Sequence, residues 1–297
     1  MTMYFGLSEE QEFFQETISR FLEGESTIEA IRNFAQGNNP DFPESIHSGL
    51  LDLGINGLII PEEYGGLEQD LLSAAAVSET LGAGVAISPF IGSYVMAPYA
   101  IIKAGSEAQK DKYLKGIVEG SVRFGVGLTE FVASREGAKI TIESGKANGR
   151  ALFVFDANNA THFLLSDSSG QLFIIDAKTK GLDIIELTTV DKTSSFVELI
   201  IKDVDIDILV NQSNHQEITQ RVVDLGRLLI AADSLGASQV MINKSVSYSK
   251  ERKQFGRVIG SFQAVKHMCA EMTANIEPCY SLIWYTAHCM DHIPEES

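Results

Sequence analysis

Hydrophobic and polar positions change their spacing twice along the 297 residues. Apolar residues recur at helical intervals before about residue 120 and again after about residue 215, which predicts amphipathic helices. Between these regions, short runs alternate apolar with polar or small residues and are separated by turn-rich connections, a pattern typical of strands. We therefore predict an α+β multidomain protein with a β-barrel or sandwich between two helical regions.

Three domains follow from these changes. The predicted bounds are residues 1–120 for an N-terminal helical domain, 121–212 for a middle β-domain and 213–297 for a partial C-terminal helical bundle. In the last region one helix is predicted from about His215 toward Lys250, and a second from Ser261 to about His288. A glycine-containing turn separates the two helices.

Individual elements can be placed within these domains. The first helix is predicted to begin at Ser8, because serine caps helix N-termini and acidic residues follow it. Its apolar stripe is predicted to contain Phe13, Ile18, Phe21 and Leu22. The strand candidates are residues 122–128, 139–142, 151–155, 163–166, 172–175 and 196–201. The first of these strands is predicted to be half-buried because its apolar residues alternate.

Composition narrows the class of protein. The formal net charge of -17 and the pI of about 4.7 argue against a nucleic-acid-binding surface. No apolar run reaches the ~20 residues needed to cross a bilayer, and the N-terminus lacks the regions of a signal peptide. Three cysteines without a Cys-x-x-Cys pair favour reduced thiols, a cytoplasmic location and no metal site.

A basic stretch contrasts with this acidic composition. Between residues 244 and 266 six residues are basic and only Glu251 is acidic, which favours a phosphate-bearing ligand over a bulk polyanion. Arg252 could clamp a pyrophosphate, Phe255 could cover a ring, and Gln263 could bond a ribose or base edge. The alternative is a solvated helix end, where basic side chains interact favourably with the helix dipole.

The same stretch, RKQFG at residues 252–256 followed by Gln263, resembles the flavin-contacting segment of the acyl-CoA dehydrogenase family. Three further segments resemble family motifs in the same order: GINGLIIPEEYGGL at 54–67, GSEAQKDKYL at 105–114 and GLTE at 127–130. The resemblance implies the helical–β–helical fold of that family, FAD as cofactor and α,β-desaturation of an acyl-CoA thioester. It also implies an oligomer and an electron-transfer flavoprotein as electron acceptor.

The resemblance further assigns ligand contacts to three residues of the basic stretch, two at a strand end and two on a helix. These are Arg252, Phe255 and Gln263 for the FAD of a neighbouring subunit, Leu128 and Thr129 for the flavin ring, and Asp224 and Arg227 for the thioester end of acyl-CoA. The alternative for Leu128 and Thr129 is that they form an ordinary strand end without a ligand contact. The alternative for Asp224 and Arg227 is that they form a charged pair exposed to water.

Several positions depart from the family pattern. The P-x-x-G-S-D run expected after Glu130 reads FVASRE at residues 131–136, and Phe155 stands where a hydroxyl is expected near flavin N5. One branch of the family carries its catalytic Glu directly before an Arg, where this chain has Gly226. The other branch places Glu beyond Ser297. No catalytic residue is therefore assigned, and the chain is expected to be C-terminally shortened or a natural partial subunit.

These residues predict an acyl-CoA dehydrogenase-like flavoprotein subunit that assembles with copies of itself or with a sister subunit. In its assembly with a sister subunit, the predicted protein resembles the paired acyl-CoA dehydrogenases that degrade steroid side chains. Two alternatives stay open. One is a catalytically inactive structural subunit that completes a partner's FAD site, in which case flavin would be retained only with the partner. The other is an acyl-CoA oxidase or flavin monooxygenase on the same fold, in which case the complex would reduce oxygen directly.

Overall fold

The structure, a computed structural model, describes residues 6–133, 137–210 and 214–293. The predicted order of helical, β and helical regions is confirmed within these ranges. The chain forms two compact units, each drawn from separated stretches of sequence. The helical unit comprises the described parts of Met1–Thr27, Asp70–Ala86 and Leu228–Ser297; the sheet unit comprises Ile28–Gln69 and the described parts of Ile87–Arg227.

Helices occupy both ends of the described chain. In chain order they are α1 (Glu9–Glu25), α2 (Ile28–Ala35), α3 (Phe42–Asp52), α4 (Leu71–Ala83), α5 (Ala97–Ala104), α6 (Glu107–Val118), α7 (Thr129–Val132), α8 (His215–Glu251) and α9 (Gln263–His292). A π-helix, Phe90–Met96, runs directly into α5. Such π-helical turns occur often at functional sites.

The predicted start of α1 at Ser8 is confirmed. The Gln11 amide donates to Ser8 Oγ at 3.2 Å, and the Ser8 amide donates to Gln11 Oε1 at 2.9 Å. These bonds satisfy two amide groups near the start of the helix. Ile18 and Leu22 are buried as predicted, but Phe13 is 64% exposed. The prediction for Phe13 is wrong because it precedes Leu22 by nine residues, a turn of about 180° around the helix.

The strands of the middle region form one mixed sheet. In chain order they are β1 (Phe124–Gly127), β2 (Lys139–Glu143), β3 (Lys146–Phe155), β4 (His162–Ser166), β5 (Leu172–Asp176), β6 (Leu182–Glu186), β7 (Phe196–Asp205) and β8 (Asp207–Ile208). Their order across the sheet is β6-β7-β3-β1-β4-β5-β8, with β2 paired to β3. Strand β6 escaped prediction because four of its five residues are exposed, so it lacks a buried alternating face.

Strand β1 is buried on both faces, not half-buried as predicted. It lies between β3 and β4, pairing antiparallel with the first and parallel with the second. A Cβ on Gly127 would lie 2.7 Å from Val154 Cγ2 and 2.8 Å from Leu165 Cδ2. Side chains of the flanking strands therefore cover the face that alternation alone assigns to solvent.

Helix α8 is the one helix within the described ranges that is long and apolar enough to cross a membrane. Its most apolar 18-residue window has a mean hydropathy of 1.2, and 44% of that window is buried inside the protein. Core helices of soluble proteins have the same length and composition, so these two properties are weak evidence for a membrane span.

Helices α4 and α8 approach each other closely within the helical unit. Ser78 Oγ donates to the Leu229 carbonyl oxygen at 2.8 Å. A Cβ on Gly236 would lie only 1.8 Å from the carbonyl oxygen of Glu79, and a Cβ on Gly82 would lie 2.1 Å from that of Asp233. Each helix thus carries glycine where the backbone of the other passes.

Replacing Gly236 with alanine should therefore destabilise the helical unit. The added methyl group meets backbone rather than a flexible side chain, so we expect Gly236→Ala to lower the free energy of unfolding by about 1–3 kcal/mol. Gly24→Ala in α1 is the matched control, because nothing lies within 4 Å of a Cβ there; alanine should raise the value by about 0.5–1 kcal/mol. Urea denaturation measures the free energy of unfolding of both variants. An equal change in the two variants would contradict the close approach of α4 and α8 at Gly236.

Candidate functional site

The basic stretch folds as a tight hairpin between α8 and α9. Strand β9 (Lys253–Gln254) pairs antiparallel with β10 (Arg257–Val258). The two residues of the turn, Phe255 and Gly256, have φ angles of +51° and +75°. Positive φ at both turn residues characterises type I′ turns, whose twist matches that of the flanking strands.

Phe255 combines backbone strain with exposure. A φ of +51° is unfavourable for an L-residue with a bulky side chain, by roughly 1–2 kcal/mol. The residue is also 91% exposed, and among the described residues its ring contact is a T-shaped one with Phe262, with 6.1 Å between centroids and planes at 88°. The fold therefore holds an aromatic ring in solvent in a strained conformation, a combination that is concentrated at binding sites.

The hairpin brings the three predicted ligand residues of the basic stretch close together. The Ile259 amide donates to the Arg252 carbonyl oxygen at 2.8 Å, which closes the base of the hairpin. Phe255 packs on Phe262, the residue directly before Gln263. Arg252, Phe255 and Gln263 are all exposed, and in the described part of the chain neither the guanidinium nor the amide forms a side-chain hydrogen bond or ion pair. Both groups are available to a ligand.

The strand-end pair lies in the sheet unit. Leu128 is buried directly after β1, and Thr129 begins α7. The Thr129 hydroxyl donates to the Leu152 carbonyl oxygen at 2.7 Å, so its proton is engaged within the chain. Glu130, which received no role in the sequence prediction, is buried, and its Oε1 has no hydrogen-bond partner among the described residues; burial raises the pKa of its carboxyl group.

The helix pair lies on one face of α8. Arg227 Nη1 lies 2.8 Å from Asp224 Oδ1, and Gln220 Nε2 donates to the two Asp224 carboxylate oxygens at 3.0 and 2.9 Å. Both charged side chains remain largely exposed, so the pair contributes at most about 1 kcal/mol to stability. The three side chains form a preassembled polar group that can also accept a ligand.

Met96 fills the space beside Gly226. A Cβ on Gly226 would lie 2.7 Å from Met96 Sδ and 2.9 Å from its Cε. Met96 ends the π-helix and is 4% exposed. A longer side chain at position 226 would therefore have to displace Met96. Nothing in the sequence marks this methionine, since it stands among other apolar residues of a predicted helix.

Two other departures from the family pattern are the FVASRE run and Phe155. Ser134, Arg135 and Glu136, the second half of the FVASRE run, lie outside the described residues. Phe155 ends β3, and its ring contacts the π-helix, since a Cβ on Gly92 would lie 3.1 Å from Phe155 Cε2. This position therefore presents an apolar ring and no hydrogen-bond donor.

Known proteins share both the sequence pattern and the fold. Residues 8–121 match the acyl-CoA dehydrogenase N-terminal domain, and residues 217–297 match the acyl-CoA dehydrogenase C-terminal domain. The short-chain specific acyl-CoA dehydrogenase of Megasphaera elsdenii is 31% identical over 268 residues, which cover 80% of this chain and 69% of the relative. This chain belongs to the acyl-CoA dehydrogenase family.

Two further known proteins align over nearly the whole chain. The caffeyl-CoA reductase-Etf complex subunit CarC of Acetobacterium woodii is 28% identical, covering 98% of this chain and 81% of the relative. The structure of butyryl-CoA dehydrogenase from Megasphaera elsdenii superposes with a TM-score of 0.83 at 27% identity, covering 97% of this chain and 80% of that structure. The predicted family, fold class and enzyme class, an FAD-dependent oxidoreductase, are thereby confirmed.

The residues of this acyl-CoA dehydrogenase chain fit FAD unequally. At the hairpin and the start of α9, the Arg252 guanidinium, the exposed Phe255 ring and the Gln263 amide, whose polar groups bond no side chain in the described residues, match the pyrophosphate, the ring system and the polar edges of the cofactor. At the strand end, Thr129 already donates to Leu152, and Phe155 offers no hydroxyl. The hairpin therefore fits FAD, whereas the strand end lacks two of the expected donors.

The strain at Phe255 can be separated from its function. Phe255→Asn creates the Asn-Gly pair that type I′ turns favour. We expect the free energy of unfolding to rise by about 0.5–1 kcal/mol, since asparagine tolerates positive φ better than phenylalanine does. Phe255→Ala keeps the Cβ in the same backbone conformation and should bring no such gain. Urea denaturation compares the variants; a loss of stability in Phe255→Asn would show that the hairpin carries no strain.

Proposed function

We propose that this chain is one subunit of an FAD-dependent enzyme that introduces a double bond between the α and β carbons of an acyl-CoA, and that its hairpin holds the FAD of an adjacent subunit. When bound, FAD supplies the hydride acceptor for this oxidation. The observation that carries the proposal is the exposed, strained Phe255 beside the unpaired Arg252 and Gln263. A ring held away from its own subunit is placed to meet a ligand on another.

Each hairpin residue has a distinct role in this proposal. The planar fork of Arg252 would hold the pyrophosphate through charge-assisted hydrogen bonds. Phe255 would cover the ring system, and Gln263 would bond a polar edge of the cofactor. The other arginine of the hairpin, Arg257, is engaged differently, since its guanidinium lies 4.1 Å from the centroid of the Phe262 ring. We therefore assign the anion to Arg252 and a packing role to Arg257.

The helix pair and the strand end complete the proposed assignments. We place Asp224 and Arg227 at the thioester end of acyl-CoA, because Gln220 and Arg227 already hold the carboxylate in a fixed position. Leu128 and Thr129 are assigned to the flavin ring through the backbone and the hydroxyl oxygen, which can still accept a hydrogen bond. The length of the acyl chain is not part of this assignment.

A second subunit is part of the proposal. Helices α8 and α9 carry large apolar side chains that are more than half exposed: Ile230, Met241, Tyr248, Met268 and Leu282. Exposed apolar surface of this kind marks interfaces, and it supports either a second copy or a sister subunit as the partner. A monomer at micromolar concentration by light scattering, both alone and with the candidate sister, would contradict this part of the proposal.

An electron-transfer flavoprotein is the proposed electron acceptor, and the cytoplasm is the proposed location. The relative from Acetobacterium woodii is named as a subunit of a caffeyl-CoA reductase-Etf complex, which supports this partner class for a chain 28% identical to it. The three cysteines, none of them in a Cys-x-x-Cys pair, favour reduced thiols and so support the location.

Arg252 provides the direct test of the FAD assignment. Charge-assisted hydrogen bonds contribute about 1.5–3 kcal/mol each, so Arg252→Ala should weaken flavin binding at least tenfold. Arg252→Lys should give an intermediate affinity, because lysine keeps the charge but not the fork. The measurement is a flavin titration of the assembled complex. Arg257→Gln is the matched control: it removes the same charge from the same hairpin and should have a much smaller effect. Unchanged affinity in Arg252→Ala would remove the assignment.

A second candidate function is a non-catalytic subunit that completes the FAD site of its partner. The residue at position 226 supports this second function, because one branch of the family carries its catalytic base there. This chain has glycine at that position, and Met96 fills the adjacent space. The strand end favours it too, because Phe155 provides no donor. Flavin that is bound only after the partner is added would support this function, and oxidation of acyl-CoA by the isolated chain would exclude it.

The missing base can be tested by restoring it. A general base typically contributes ~10²–10⁴-fold to the rate, so the isolated chain with added FAD should give little acyl-dependent dye reduction. The double substitution Gly226→Glu with Met96→Ala makes room for a carboxylate, and should react at least ~10²-fold faster than Gly226→Gln with Met96→Ala. Equal rates for the two double variants would show that position 226 does not face the acyl-CoA. Fast reaction of the unmodified chain would show that another residue is the base.

A further inference from the structure

The sheet unit contains a cavity of about 430 Å³ that none of the proposed FAD or acyl-CoA contacts lines. Its volume lies within the range of small-molecule sites. The apolar part of its wall comes from α2, the segment before the π-helix and the β6–β7 region; these residues include Phe34, Ile87, Pro89, Leu187 and Phe196. The cavity can therefore accept a ligand with a hydrocarbon or aromatic body.

One carboxyl group on this wall has no cationic partner. Asp156 Oδ2 accepts a hydrogen bond from the Gly92 amide at 2.7 Å, and no Lys, Arg or His of the described chain bonds to the carboxyl group. Burial raises the pKa of Asp156 to about 7, and the Gly92 hydrogen bond opposes this rise. At neutral pH the group is thus divided between its charged and neutral forms, since no cationic side chain of the described residues pairs with it.

The other polar groups around the cavity are already paired, neutral or exposed. The Arg123 guanidinium donates to both Glu44 carboxylate oxygens, at 2.9 and 3.0 Å. His47 is buried against the Tyr94 hydroxyl, and burial lowers its pKa to about 4, so it is uncharged at neutral pH. Burial also raises the pKa of Tyr94, which keeps its proton.

Two exposed residues of opposite charge, Glu186 and Lys192, complete the lining. Because they face water, their charges are largely screened. Among the lining residues, Asp156 is therefore the acidic group whose negative charge a positively charged ligand can best neutralise. An anion would find Arg123 already engaged with Glu44 and would meet the Asp156 carboxyl group.

We propose that this cavity binds a small apolar amine, whose ammonium group pairs with the Asp156 carboxylate and whose apolar body lies against Phe34, Ile87 and Phe196. The ammonium group supplies the missing positive charge and donates to the carboxylate oxygen that Gly92 leaves free. A charge-assisted hydrogen bond in a partly buried site is among the stronger polar contacts. The site does not depend on FAD and is independent of the proposed function.

Three probes of one shape test the charge preference. Phenethylamine, 2-phenylethanol and phenylacetate are titrated calorimetrically into the full chain at pH 7.5. We expect the amine to bind at least tenfold more tightly than the alcohol, and phenylacetate to bind weakest. Asp156→Asn keeps an oxygen for the Gly92 amide and should reduce the affinity for the amine to that for the alcohol. Lys192→Ala, the control at the rim, should leave the affinity for the amine equal or higher.

The proton that Asp156 releases when the amine binds can be measured with the unmodified chain, so this test needs no variant. At pH 6 Asp156 is mostly protonated, so amine binding should release nearly one proton, detected as a dependence of the binding heat on the buffer. At pH 8.5 almost none should be released. His47 is neutral, Glu44 ionised and Tyr94 protonated at both pH values, so they do not contribute. Equal affinity for amine and alcohol, tighter binding of phenylacetate, or no proton release at pH 6 would each overturn the proposal.

Discussion

The close packing of helix α8 depends on glycine at the points where neighbouring segments approach it. A helical glycine is about 1 kcal/mol less favourable than alanine, yet α8 carries Gly226 beside Met96 and Gly236 beside the Glu79 carbonyl. At position 236 the glycine serves packing alone. At position 226 the proposed function gives it a second consequence, since one branch of the family is expected to carry its catalytic carboxylate there, so a single residue would affect both packing and chemistry.

In the hairpin after α8, the residue proposed to contact the ligand lowers the stability of the subunit instead of allowing closer packing. A type I′ turn favours asparagine or glycine at its first central position, but this chain has Phe255 there, almost fully exposed. Both features destabilise the isolated subunit, and in the described residues the aromatic contact of this ring is the T-shaped one with Phe262. Natural chains break local rules mainly at functional sites. Physical analysis of the turn and resemblance to the family thus identify the same residue.

The sheet unit shows how polar groups near the core are kept in a defined state. Arg123 pairs with Glu44, and Arg150 pairs with Glu198, so these charges are compensated where they lie. Among the described residues Asp156 has only a backbone amide as partner, and its carboxyl group is the one on the cavity wall that titrates near neutral pH. This difference, and not the volume of the cavity, determines which ligand charge the site prefers.

The sequence by itself determined the order of the helical and β regions, the start of α1 at Ser8, the approximate extent of α8 and α9 and the grouping of Arg252, Phe255 and Gln263. These features depend on interactions within a few residues, such as caps, periodicity and tight turns. Only the tertiary structure decided that β1 is buried on both faces, that β6 forms at an exposed edge and that Met96 occupies the space beside Gly226. Burial and steric fit depend on segments far apart in sequence, whose approach no local pattern records.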